Sequence, residues 1–123
     1  MSDFAEYQQH MEDGHSAAWE HNWSAAIESY SKAVQSESED ADAHINLGLA
    51  LLNDGQLDRS LKVYRRATQL APDDPLPLER SADILERLGQ LQEAAQQYTK
   101  VADIYLTQRD LSKAISNWEH ATQ

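Results

Sequence analysis

The chain has 123 residues, no cysteine, and 21 Asp and Glu against 10 Lys and Arg, for a formal charge of −11. This balance disfavours nucleic acid and anionic lipid surfaces, which are gripped by clustered Lys and Arg, and the lack of cysteine excludes disulfides and thiolate metal sites. A charged partner should therefore be basic, and the field is uneven, since residues 1–40 hold nine acids and one Lys.

The opening Met1-Ser2-Asp3-Phe4-Ala5-Glu6 has neither the basic nor the apolar region of a secretion signal. No stretch approaches the roughly 18 apolar residues of a membrane helix, so a soluble, cytoplasmic protein without membrane insertion is expected. In chain order, apolar periodicity predicts helices at about 3–20, 24–37, 41–53, 57–70, 75–87, 91–107 and 111–122, and no strand. Leu57, Leu61, Tyr64 and Thr68 show the spacing of a helix that buries one face. Gly55 and Gly89 can close helices in the left-handed conformation, and Asp40, Asp74 and Asp110 stand where N-caps are needed, Asp74 just ahead of Pro75.

A single interval runs through these elements. Tyr30, Tyr64 and Tyr98 stand 34 residues apart, as do Gly14 and Gly48, Gly55 and Gly89, and Ala33 and Ala67. Such a period is the signature of stacked helical hairpins. Gly14, Gly48 and Ala82 are expected to be small because the helices of one hairpin cross there, and the three tyrosines are expected to fill the gaps between successive hairpins. All four glycines occupy repeat positions, so none is left for a phosphate-cradling loop. After Tyr98 the period breaks: Ala94, Tyr98 and Val101 are echoed by Ala114, Trp118 and Ala121 after only 20 residues. One long sixth helix is therefore expected to close the third hairpin and open a partial fourth.

The chain resembles the tetratricopeptide repeat family. The middle repeat carries the resemblance best, with His44 in the usual Trp position followed by Leu47, Gly48, Leu51, Gly55, Leu57, Ser60, Tyr64, Ala67 and Pro72. The first repeat offers His10, Gly14, Ala17, Trp23, Ala26, Tyr30 and Ala33, and the third Leu78, Ala82, Leu85, Gly89, Leu91, Ala94, Tyr98 and Val101. The resemblance implies an all-α, right-handed superhelical solenoid of antiparallel helix pairs. It would form a single domain over residues 1–123, with repeats at about 7–40, 41–74, 75–108 and a partial, overlapping fourth at about 95–123. A chain ending at Ala121-Thr122-Gln123 is read two ways, as a fragment of a longer protein or as a solenoid capped by its seventh helix.

It also implies function: a protein–protein interaction module binding a peptide or protein segment in a concave groove. The expected groove residues are Met11 and His15 from the first hairpin, Ile45, Asn46, Leu49, Leu52 and Asn53 from the second, and Arg80, Asp83 and Arg87 from the third. Met11, Ile45, Leu49 and Leu52 are expected to form an apolar patch, with Asn46, Asn53 and Arg80 orienting the ligand. Arg80, Arg87 and Lys100 form a basic strip, which would suit a ligand whose apolar segment is followed by an acidic one. Relatives that grip a chaperone's C-terminal carboxylate use two lysines, two asparagines and an arginine. The matching positions here hold Met11, His15, Asn46, Leu76 and Arg80, so both lysines are lost and chaperone-tail binding is not expected.

No catalytic or metal chemistry is expected, and no cofactor. His10, His15 and His21 lie five and six residues apart, without the i, i+4 pairing of a helical zinc site. No strained turn presents Ser16, Ser24, Ser29 or Ser31 as a nucleophile, and Glu37/Glu39 and Asp73/Asp74 are explained as acids near helix starts. Two alternatives to peptide capture stand beside it: a scaffold that self-associates through the solenoid ends, giving a homo-oligomer, and the targeting segment of a larger enzyme.

Overall fold

The computed structural model describes residues 2–122. The expected close of the partial fourth repeat at Gln123 lies outside them. Seven helices occur in order: α1 (Ser2–Trp19), α2 (Trp23–Ser36), α3 (Ala41–Asn53), α4 (Leu57–Leu70), α5 (Pro75–Arg87), α6 (Leu91–Thr107) and α7 (Leu111–Ala121). No strand occurs among the described residues, and the helix boundaries depart from the expected ones by a residue at most. None of these helices is long and apolar enough to cross a membrane.

Local chemistry explains the boundaries. Asp40, Asp74 and Asp110 accept hydrogen bonds from the backbone N–H of Asp42, Leu76 and Lys113 at 2.9, 3.0 and 3.2 Å, and Asn22 caps α2 through Ala25 N–H at 3.2 Å. Each such cap is worth about 1 kcal/mol. Four helix ends share one closure, in which an N–H reaches back five residues: Asn22 to Ala17, Gln56 to Leu51, Gln90 to Leu85 and Asp110 to Tyr105. This is the Schellman arrangement, whose turn residue sits at positive φ. Gly55 (φ 84°) and Gly89 (φ 81°) were expected there; His21 (φ 59°) and Arg109 (φ 63°) take the same conformation at the other two turns.

The helices group into two compact units, α1–α4 and α5–α7. In the first, α1 packs on α2, α2 on α3 and α3 on α4. Its core gathers Met11, Ala26, Tyr30, Ala33, Ala43, Leu47, Ala50 and Leu51. The hairpin crossings explain Gly14 and Gly48. A Cβ on Gly14 would lie 2.5 Å from Cε1 of Tyr30, and one on Gly48 would lie 3.0 Å from Cε2 of Tyr64. Tyr30 and Tyr64 thus sit over the glycine of their own hairpin, and Tyr30 also joins the core that includes Ala43, Leu47 and Leu51 of the next one. The α3/α4 crossing is tied further by the buried Ser60 hydroxyl, which donates to the Gly48 carbonyl at 2.7 Å. His44, in the Trp position, is buried and bonds the Ser38 carbonyl through Nε2 at 3.0 Å; because a carbonyl only accepts, Nε2 carries the proton.

In the second unit, α6 packs against both α5 and α7, as expected of a shared sixth helix. Its buried residues include Ala82, Ile84, Leu85, Ala94, Tyr98, Val101, Ala102 and Ala114. Helix α7 turns Ala114 and Asn117 inward and leaves Leu111 and Ile115 exposed.

Candidate functional site

Of the residues expected to line a groove, those on α3 share one helical face. Ile45 and Leu52 are half-buried there, and Leu49 is exposed. The two asparagines beside them are held by their own helix: Asn46 donates to the Asp42 carbonyl and Asn53 to the Leu49 carbonyl, both at 2.9 Å. With the amide nitrogens committed, each side chain turns an acceptor oxygen outward. Two expected residues of α1 behave differently. Met11, with 9% of its surface exposed, belongs to the core of the first unit rather than to an open apolar patch; α1 packs on α2 along the face that carries it. His15 is exposed and shares a 2.7 Å hydrogen bond between its Nδ1 and the hydroxyl of Tyr30, whose pKa burial raises.

In the second unit the expected Arg80 and Asp83 are brought together with Glu79 along α5, on the wall of a cavity of about 270 Å³. Tyr98 of α6 and Ser116, Asn117 and His120 of α7 complete the lining. Asp83 is ion-paired with Arg87 at 3.1 Å, which corrects the expected basic strip: one of its three cations is neutralised within its own helix. Burial first, and then the neighbouring Glu79 carboxylate, push the Tyr105 pKa up to about 12. Tyr98 is also pushed up to about 12, first by burial and then by the nearby charges of Glu86, Asp83 and Glu79. Its ring stacks on His120 with centroids 4.6 Å apart. The cavity therefore carries an acidic field around a neutral phenol.

The two faces occupy corresponding repeat positions with different chemistry. Asn46, Leu49 and Asn53 stand 34 residues before Arg80, Asp83 and Arg87. One face is apolar and amide-lined; the other is charged and bordered by a cavity. Among the described residues no group of three His, Cys, Asp or Glu is placed to hold a metal ion.

Residues 14–75, half of the chain, match the sequence profile of the tetratricopeptide repeat. The chain belongs to the tetratricopeptide repeat family. A curated relative, the photosystem I assembly protein Ycf3 of Synechococcus sp. (strain CC9605), is 25% identical over 124 residues, covering 89% of this chain and 72% of the relative. Among solved structures, the TPR2B domain of yeast Sti1 in complex with an Hsp70 peptide superposes with a TM-score of 0.85 at 14% identity, covering 97% of this chain and 98% of that one. The second tetratricopeptide domain of human RPAP3, in complex with the HSP70 peptide SGPTIEEVD, gives 0.84 at 19% identity, covering 98% of each chain. The all-α helix-hairpin fold expected from the sequence is the fold of these domains.

Within this tetratricopeptide frame, the sequence reasoning missed the contribution of α7. Ser116, Asn117 and His120 carry no motif, and the 20-residue echo drew attention to Ala114, Trp118 and Ala121 instead. Helical spacing held the missed signal, since Ser116 and His120 are an i, i+4 pair and Asn117 shares the inward side with Ala114.

Proposed function

We propose that this tetratricopeptide protein is a protein–protein interaction module that captures an extended or helical segment of a partner. Its first-unit anchor would be the α3 face of Ile45, Leu49 and Leu52, flanked by Asn46 and Asn53. The observation that carries the reading is Leu49, 39% exposed on a helix whose other buried positions are already filled by Ala43, Leu47, Ala50 and Leu51. An apolar side chain left outside a completed core, between two acceptor amides, suits a peptide that supplies apolar contacts and N–H donors. Support also comes from the yeast and human domains above, each solved with an Hsp70 peptide.

The ligand should differ from theirs. The peptide SGPTIEEVD bound by the human domain contains three acids and no base, whereas Met11 and Leu76 replace both lysines of the carboxylate grip, and Met11 is buried. Affinity capture from native cell extract tests the reading, with Leu49→Glu as the comparison. The wild-type protein should retain a partner that Leu49→Glu releases while its helical circular dichroism is unchanged. Equal capture by both would sink the α3 face as the binding surface.

A further inference from the structure

We propose that the cavity between α5, α6 and α7 binds a basic side chain, a lysine or arginine of the partner segment. The inference rests on the reading of the chain as an interaction module and names the chemistry of one of its contacts. Size comes first. About 270 Å³ falls below the roughly 300–1,000 Å³ usual for a small-molecule site, so the cavity takes a single side chain.

Two polar groups of largely buried residues line it with unused capacity. Asn117 is only 6% exposed; its amide nitrogen donates to the Lys113 carbonyl at 2.8 Å, and it makes no other hydrogen bond among the described residues. Oδ1 is what remains, and an amide oxygen only accepts. Tyr98 is 4% exposed, lines the same cavity, and its hydroxyl has no hydrogen-bond partner among the described residues. The equivalent hydroxyl of Tyr30 has His15. Both groups open onto the one cavity with spare accepting capacity, which suits an occupant that supplies donors.

Charge selects the donor. Glu79 and Asp83 stand on the wall, Glu86 adds to their field at Tyr98, and Arg87 acts against them there. Arg80 also borders the cavity, with its side chain exposed to solvent. An ammonium or guanidinium group entering the cavity would meet the Asn117 oxygen, the Tyr98 hydroxyl oxygen, Ser116 and the two carboxylates. A carboxylate would face two acids and an amide oxygen, against which stand Arg80 and the Arg87 already paired with Asp83. The formal −11 of the whole chain draws the same class of ligand by long-range attraction.

The test is a titration of the full chain, followed by amide NMR shifts, with argininamide as the cationic probe and N-acetylaspartate as the anionic one. Argininamide should shift the amides of residues 79–83 and 116–120 saturably, and N-acetylaspartate should leave them in place. Glu79→Gln should weaken argininamide binding about tenfold, the effect of losing one charge-assisted hydrogen bond, and Arg80→Gln should strengthen it several-fold by removing the opposing charge. Leu49→Glu, in the other unit, should leave these shifts unchanged. Saturable shifts with N-acetylaspartate at the same amides would overturn the proposal, as would argininamide shifts confined to residues 1–40 and indifferent to Glu79→Gln. Should argininamide fail at the cavity while partner capture still depends on Leu49, the cavity proposal falls and the interaction module stands.

Discussion

In α1–α4 each hairpin seats a tyrosine ring against a glycine, whereas in α5–α7 the corresponding pair is Tyr98 and Ala82. The two positions differ by one methyl group. A Cβ at the glycine position would lie 2.5–2.9 Å from a ring placed like that of Tyr30 and 3.0–3.1 Å from one placed like that of Tyr64, so a ring over Ala82 has to sit farther out. Tyr98 stacks on His120 of α7, its hydroxyl unpaired, beside a cavity. The first unit packs its tyrosines against the crossing glycines and leaves Leu49 exposed on a helix face; in the second, Tyr98 lines a polar cavity with α5 and α7 residues. Corresponding repeat positions therefore supply an apolar surface in one unit and a charged cavity wall in the other.

The sharpest way to break this comparison is to exchange the small residues. Gly14→Ala should destabilise the fold by about 1–2 kcal/mol in urea unfolding, because overpacking costs roughly 1–3 kcal/mol and the better helix propensity of Ala returns about 1. Ala82→Gly should cost about 1 kcal/mol, for propensity alone. If Gly14→Ala stabilised the protein, the tyrosine seat would not be what requires glycine there.

A smaller effect is expected at the turns. His21 and Arg109 pay for a left-handed conformation that Gly55 and Gly89 adopt freely. Replacement by glycine should stabilise by about 0.5–1 kcal/mol, the left-handed penalty of roughly 1–2 kcal/mol less the extra backbone entropy of glycine. The gain should be larger for Arg109→Gly, because His21 stacks on Trp23 with centroids 5.6 Å apart and would lose that contact. Thermal unfolding of the two variants measures the difference.

The smallest effect separates the hydroxyls. Tyr30→Phe removes the bond to His15 and should cost about 1 kcal/mol at neutral pH, while Tyr98→Phe should be close to neutral. At alkaline pH the order changes. The folded pKa of Tyr98 is about 12 against 10.0 for a free phenol, so its contribution is fully present below pH 10 and is lost as the pH rises through 12. The melting temperature should fall over that window, and Tyr98→Phe should flatten the fall. An unchanged slope would show that the phenol is not held neutral by its surroundings.

Much of the fold was legible before any coordinates. The 34-residue interval, the capping acids and the turn glycines are local signals, and local signals fix where helices begin and end. The family resemblance placed Arg80 and Asp83 on one helix face, and Leu49 outside the core. Met11 was misread because the repeat position says which face of a helix a residue occupies but not how closely a neighbouring helix covers it. His21 and Arg109 were missed for another reason: a helix closed by tertiary packing can force a side chain into a conformation that composition alone assigns to glycine.

What the sequence by itself determined is the family and its helix hairpins, since periodic apolar positions and small crossing residues leave few other ways to bury the chain. Only the tertiary structure decided that Tyr98 would stack on His120 and that Asn117 would keep an acceptor free beside a cavity. Those outcomes depend on atoms brought together from α5, α6 and α7 at separations of a few ångströms, and no spacing along the chain records them.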